Sequence, residues 1–506
     1  MSADSPSALL QRIVIVGGGT AGWMAAAALA KTLRGKVQIT LIESEEIGTV
    51  GVGEASIPML AQFNALVGID EDEFLRETGG TFKLGIEFVN WRRTGHRYTH
   101  GFGWFGPNLQ SVRFENYWVK LHAQGRVGEL ACYSINHQAA AAGRFMRPTA
   151  ETQGTPMADV VHAFHFDALR YARLLRRHAE PRGVERIEGK VVDVALRAGT
   201  GHVNHVTLQD GRVFAAELFI DCSGFHAVLI EGALHTGYED WSHWLPCDRA
   251  IAVPSQATAA PLLYTRSTAH AAGWQWRIPL QHRTGNGHVF CSGFTSEDEA
   301  TAVLLNQLDG EPLAVPRTFK FVTGMRRKAW QGNVVALGLA AGFMEPLEST
   351  SIHLIQTAIG RLINFFPGRE FSAPGIDEFN RLTRSEYERI RDFIVLHYHQ
   401  TERDDTPFWR HCRTMDVPDT LRRKMALYRS HGRVFREADE LFTEASWHQV
   451  MHGQGLTPVS HYPLVDLLDE GELIDHFQST EALIERCVQA MPSHADYIAR
   501  HCAAAR

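Results

Sequence analysis

Apolar and polar positions along the chain follow two periods, and the changes from one to the other mark out the elements. Ile13-Val14-Ile15-Val16 is a short, continuous β-branched run, the mark of a buried strand. It enters Gly17-Gly18-Gly19 and then an alanine-rich stretch, Met24 to Leu33, that predicts a helix. A second apolar run, Val37 to Ile42, ends in Glu43. The order strand, glycine loop, helix, strand predicts a parallel βαβ unit. Residues 59–78 carry apolar positions at helical spacing, with an acidic patch from Asp70 to Glu73. From Thr81 to Trp91 the period drops to two. Phe82, Leu84, Ile86 and Phe88 share one face of a strand, and Lys83 falls on the other, where the pattern alone reads it as solvated. Residues 96–107 hold His96, Tyr98, His100, Phe102, Trp104 and Phe105 without a clear period and read as an irregular loop.

Further along, Phe164-His165-Phe166-Asp167 reads as the opening of a helix with Leu169, Tyr171, Leu174 and Leu175 on one stripe and Asp167 as its first-turn acid. Val191 to Val194 and His205 to Leu208 read as strands, the latter joined to another by Asp210-Gly211. Leu218 to Asp221 is an apolar strand ending in small residues, and residues 250–300 alternate like the strands of a second sheet. Val334 to Leu337 is a further buried strand, followed by a glycine turn at Gly338. Glu345-Pro346-Leu347-Glu348-Ser349-Thr350-Ser351 then leads into an apolar helix, Ile352 to Phe366. The pattern is that of an α/β protein. A doubly wound, Rossmann-like module with an inserted mixed sheet takes residues 1–375, and a mainly helical, more charged subdomain takes residues 376–506.

Composition narrows the classes. A length of 506 residues suits more than one core, and a net charge of −7 gives no footprint for nucleic acid. The seven cysteines form no CxxC pair, so neither a disulfide framework nor a zinc knuckle is indicated. The N-terminus lacks a basic, apolar leader pattern, and apolar runs such as Val334 to Met344 are too short for a bilayer, so a cytoplasmic protein without membrane contact is expected. The 26 histidines do not gather at metal-ligand spacing, so no metal is expected. His162 and His165, like His397 and His399, read as surface or packing residues.

The glycine loop carries the first chemical signal. Gly17-x-Gly19-x-x-Gly22 follows a strand and opens a helix, the setting in which backbone N–H groups approach a dinucleotide pyrophosphate. Glu43 lies 21 residues past Gly22, where a ribose-binding carboxylate is expected. A second glycine-rich stretch, Gly48 to Pro58 with Val52 at its centre, reads as a strap over the cofactor. Ser349, Thr350 and Ser351 precede a helix, a place where free N–H groups cap themselves or hold an anion.

Other motifs carry a resemblance. The loop continues into Ala21-Gly22-Trp23; Gly273 to Pro279 contains W-x-W-x-I-P; Lys83 sits in a Phe-Lys segment; Glu345 to Thr350 spell E-P-L-E-S-T. Arg403 to Trp409 and Trp447 to Pro458 fit as well. On these residues the chain resembles the flavin-dependent halogenases of the tryptophan-halogenase family over nearly its whole length. The resemblance implies FAD, held at Gly17, Gly19, Thr20, Ala21, Gly22, Glu43, Val52 and Gly338. It implies FADH2 from a separate flavin reductase, with dioxygen and chloride or bromide giving hypohalous acid at the flavin. That acid would pass through a tunnel to Lys83, the catalytic lysine, with Glu348 as its catalytic partner and Ser349 in support. Thr350 and Ser351 would hold the halide through backbone N–H groups, and Trp274, Trp276, Ile278 and Pro279 would fill the cavity beside the flavin. His100, Phe102 and Trp447 would sandwich the substrate ring.

Tryptophan-specific members carry a tyrosine pair and a glutamate that grip free tryptophan; the stretch from Phe435 to Trp447 lacks the tyrosine pair, and Phe-Trp has become Ser446-Trp447. A less polar, indole-type substrate is therefore expected. Two other readings stay open: an NAD(P)H-dependent aromatic monooxygenase, and an inactive flavin-binding protein. The oligomeric state, a homodimer included, is open too.

Overall fold

The computed structural model describes residues 9–47 and 53–505. The expectation for Val52 lies outside the described residues.

The first strand, Arg12–Val16, is central in a six-stranded sheet. Its neighbours are Gln38–Glu43 and Leu218–Asp221, both parallel to it. Val184–Glu188 extends the sheet on one side and Val334–Ala336 on the other, again in parallel, and Trp330–Gln331 closes the far edge antiparallel. The helix Thr20–Leu33 is buried from Gly22 to Ala30, and its alanines let it lie close against the sheet. Gly17 makes the turn into that helix at φ +112°, and a Cβ there would stand 2.2 Å from the Cys222 carbonyl oxygen. At Gly22 a Cβ would stand 1.8 Å from the Gly17 carbonyl oxygen.

A seven-stranded sheet forms the second layer, in the order Arg317–Lys320, Arg249–Ser255, Thr284–Phe290, Gly273–Pro279, Tyr264–His270, Gly85–Val89, Arg97–Gly101. A three-stranded sheet of Gly53–Ala55, Ala163–Asp167 and Thr81–Lys83 lies beside it. The 27-residue helix Ala373–His399 packs its apolar side into the core under the larger sheet. Near the C-terminus, Ile484, Cys487 and Val488 enter the core of the first sheet instead. Among the described residues, no helix is long and apolar enough to cross a membrane.

Several sequence expectations change. The alternating run around Lys83 is two strands in two sheets, Thr81–Lys83 and Gly85–Val89, with Leu84 at the crossing. The side of the strand away from Phe82 therefore faces protein, and Lys83 is fully buried rather than solvated. Part of the expected loop, Arg97–Gly101, is an edge strand paired with Gly85–Val89; of its polar side chains His100 is buried while Arg97 is exposed, so no apolar alternation marked it in the sequence. Ala163–Asp167 is a strand, and Asp167 is the N-cap of the helix Ala168–Ala179, accepting from the Leu169 and Arg170 amides. All five strand residues are buried, which removes the alternation that would have revealed it.

Gly22→Ala is expected to destabilise the fold by ~1–3 kcal/mol through forced overpacking against backbone. Chemical denaturation checks this, and an unchanged midpoint would contradict the close approach of helix to loop.

Candidate active site

The glycine loop and its surroundings fit a dinucleotide. No side chain caps the helix Thr20–Leu33, so its N-terminal amides remain available for an anion. Glu43 reaches over the loop: a Cβ on Gly18 would collide with its carboxylate at 1.6 Å. Its oxygens are braced by Trp23 Nε1 at 3.2 Å and by the Arg186 guanidinium. Gly338, at φ +62°, brings the later glycine turn against Ala21, where a Cβ would lie 2.9 Å from the alanine methyl. Ala21 and Gly338, far apart in sequence, thus border one cradle. This crowding, with an uncapped helix end facing it, suits the FAD that the sequence leads one to expect.

Lys83 and Glu348 stand at the junction of the sheets. Lys83 is at the end of its strand, and its Nζ donates to the Ser56 carbonyl at 3.0 Å and to Ser349 Oγ at 2.8 Å. Burial lowers its pKa to about 7, with Glu348 acting the other way. Glu348 lies on the short turn Pro346–Glu348 and is also buried. Its Oε2 meets His100 Nδ1 at 2.9 Å and its Oε1 meets His397 Nε2 at 2.8 Å. Burial would favour the protonated acid, but the charge and hydrogen bonds of the two imidazoles reverse that and hold Glu348 at about 2. His397 Nδ1 meets the Tyr98 hydroxyl at 2.9 Å. With the hydroxyl as donor, the imidazole keeps its proton on Nε2, facing the carboxylate. Burial lowers the pKa of His397, and the hydrogen bond and charge of Glu348 act the other way.

The backbone separates the two partners. Ser349 is left-handed, at φ 59°, a conformation that costs a non-glycine residue about 1 kcal/mol or more. The bend sends the Glu348 side chain towards the histidines and the Ser349 side chain towards Lys83. Immediately after it, the helix Ser351–Asn364 begins without a side-chain cap, and the Thr350 hydroxyl is buried without a partner.

A second carboxyl in the same segment holds the tryptophan strand. Glu345 Oε2 accepts from Trp274 Nε1 at 3.0 Å and from the Tyr398 hydroxyl at 2.6 Å. Burial raises the Glu345 pKa to about 7 despite these donors. Trp276 leans over Gly287, Ile278 packs towards Gly53, and the Pro279 carbonyl accepts from Thr81 Oγ1 at 2.7 Å. The W-x-W-x-I-P strand thus touches both the strap end and the lysine strand.

The expected substrate residues are near one another, in a different arrangement. Phe102 lies under the Lys83 ammonium, 5.4 Å from ring centroid to Nζ. His100 is bound edgewise to Glu348, so its role begins as a hydrogen-bond donor rather than a stacking face. Trp447, 1 % exposed, stands edge-on to Phe393 at 4.8 Å, and Phe393 stacks on Phe442 at 3.7 Å.

Sequence reading missed Ser56, Tyr98, Phe393, Phe442 and above all His397, which is neither a surface nor a mere packing residue. Phe393 and His397 sit four apart on one helix face, a visible spacing. What faced them was not visible. The reading of the histidines as scattered also changes: His122 and His452, 330 positions apart in the chain, stand together with Glu129.

Residues 12–470 match the tryptophan halogenase family model. Tryptophan 7-halogenase RebH from Lentzea aerocolonigenes is 33% identical, covering 97% of this chain and 99% of its own. Two solved structures are nearer in sequence. Xcc4156, a flavin-dependent halogenase from Xanthomonas campestris, is 47% identical with a TM-score of 0.95, covering 98% of this chain and 99% of its own. BrvH, a flavin-dependent halogenase from Brevundimonas sp. BAL3, is 45% identical with a TM-score of 0.94, over the same shares.

The depressed pKa of Lys83 predicts a pH signature. Between pH about 7 and 10.5 the unfolded chain holds the lysine proton that the folded chain has lost. The cost of burying Lys83 is therefore fully present below pH 7 and fades as pH rises towards 10.5. Lys83→Met is expected to be more stable than the parent at pH 6–7 by ~2 kcal/mol or more, with the gap closing towards pH 10. Denaturation measured across that range checks it; a gap independent of pH would refute it.

Proposed function

The chain belongs to the tryptophan halogenase family and is a flavin-dependent halogenase, and from that premise we propose that it halogenates an indole-type ring between Lys83 and Glu348. Bound reduced FAD, with dioxygen and chloride or bromide, supplies hypohalous acid. The observation that carries the reading is a buried amine and a buried carboxylate, near enough for the charge of Glu348 to act on Lys83, that bind other partners and do not pair with each other.

The chain's own residues then divide the work. The loop of Gly17, Gly19, Thr20, Ala21 and Gly22, with Gly338 against it, would hold the pyrophosphate, and Glu43 would take the ribose. Backbone amides of Thr350 and Ser351, at a helix end without a cap, hold the halide through the positive end of the dipole. Trp274, Trp276, Ile278 and Pro279 fill the space beside the flavin, so an organic ring does not meet the oxidant there. Hypohalous acid travels through an internal tunnel to Lys83. With a pKa near 7, Lys83 donates from its ammonium to the oxygen of that acid, or reacts with the halogen as the amine. Ser349 and the Ser56 carbonyl aim it.

The aromatic carbon attacks the halogen and the ring becomes cationic. On the ammonium route the halogen–oxygen bond breaks and the oxygen leaves as water with the proton of the Lys83 ammonium. On the amine route water has left when the nitrogen–halogen bond formed, and that bond now breaks, its electron pair staying on the Lys83 nitrogen, which takes up a proton. Ionised Glu348 stabilises that cation and receives the ring proton. His100 and His397 orient the carboxylate. The substrate ring lies among His100, Phe102 and Trp447, backed by Phe393 and Phe442. The segment from Phe435 to Trp447 offers no tyrosine pair for an amino-acid backbone, which favours an indole without one. FADH2 comes from a separate flavin reductase.

The test supplies FAD, a flavin reductase, NADH, oxygen, indole and bromide or chloride, and reads the halogen isotope pattern by mass spectrometry. Halogenated indole is expected. Hydroxylated product, or rapid NAD(P)H oxidation without the reductase, would favour a monooxygenase instead. Lys83→Ala should abolish halogenation and keep FAD binding. Glu348→Gln is expected to lower kcat ~10²–10⁴-fold, and full activity in either variant would overturn the assignment.

A further inference from the structure

Away from this site, we propose that His122, Glu129 and His452 form a binding site for a divalent transition-metal ion of the zinc class. One ligand atom from each residue lies within 4.8 Å of the others. His452 Nε2 is 3.8 Å from Glu129 Oε2. Zinc bonds of about 2.0–2.2 Å to nitrogen and oxygen place tetrahedral ligands ~3.4 Å apart. Small side-chain rotations close the gap.

Four features favour an ion over a simple surface ion pair. Both imidazoles are held in place by one ring: His122 stacks on Trp118 at 4.3 Å and His452 stands edge-on to it at 4.7 Å. His122 Nδ1 is buried without a hydrogen-bond partner, which leaves a ring nitrogen that the protein does not satisfy. His122 and His452 each lie in the last turn of a helix, Phe114–Ala123 and Glu444–Gly453, so two negative dipole ends converge where a cation would sit. Finally, the Glu129 carboxyl is 72% exposed, leaving room for water to complete the coordination.

Two imidazoles and one carboxylate suit zinc, nickel or copper, whereas calcium and magnesium prefer oxygen throughout. The site serves position rather than chemistry. The helix Glu444–Gly453 also carries Trp447 and Gln449, and the Gln449 amide exchanges hydrogen bonds with the Gly101 backbone at 2.8 and 3.2 Å. An ion at His452 would fasten that helix to the helix Phe114–Ala123 and so steady the aromatic wall of the active site.

The test uses the full chain, freed of metal by chelator and titrated with zinc against a chromophoric competitor, with melting temperature as a second readout. One zinc per chain at the site is expected, with a raised melting temperature. His122→Ala and His452→Ala should each weaken binding ~100-fold or more and remove the thermal shift; Glu129→Gln, a conservative change at an exposed position, should weaken it ~10-fold or more. Calcium and magnesium should not compete. The proposal fails if no stoichiometric zinc binds, if the three variants bind zinc as the parent does, which would place it on other histidines, or if calcium binds equally well.

Discussion

An amine and a carboxylate are buried side by side here without being allowed to neutralise each other. Taking either charge out of water costs several kcal/mol, and a direct ion pair would recover part of that while ending the reactivity of both. The fold keeps them apart with the left-handed Ser349. The carboxylate is turned to His100 and His397, and the lysine to a serine hydroxyl and a carbonyl. Much of the architecture follows from this. The lysine needs a strand that ends between two sheets. The histidines need an edge strand and a long helix pressed against the same turn.

The cofactor end obeys a constraint of space rather than charge. Backbone approaches backbone at Gly17 and Gly22 more closely than any side chain would allow, so the loop and helix can be seated this way only with glycine at both positions. The two ends of the site are joined through the strand Gly273–Pro279. Trp274 is fastened by Glu345, three residues from Glu348, and Pro279 is fastened to Thr81, two residues from Lys83. A shift of that strand would therefore disturb the Glu345–Glu348 turn and the Lys83 strand together, which gives the W-x-W-x-I-P segment a positional role.

The aromatic wall and the C-terminal helices complete the enclosure. Phe393 and His397 project from one helix, Trp447 from another, and Phe442 from the segment before it. Their relative placement depends on how the helix Glu444–Gly453 docks. Gln449 ties that helix to the Gly101 backbone, and His452 at its end stands edge-on to Trp118.

The sequence by itself determined what local chemistry can encode. The βαβ unit, the glycine loop with Glu43, and the motifs containing Lys83, Glu348, Trp274 and Trp276 were all legible, because period, glycine spacing and motif residues lie within short stretches. Tertiary structure decided the rest. Period-two alternation assigned Lys83 to an open face, and only the crossing from one sheet to another made that face interior. His397 carried only its helical spacing from Phe393, since its meaning comes from a carboxylate 49 positions away. His122 and His452 looked scattered for the same reason. Charge, burial and proton affinity belong to groups brought together across the chain, and no window of neighbouring residues contains them.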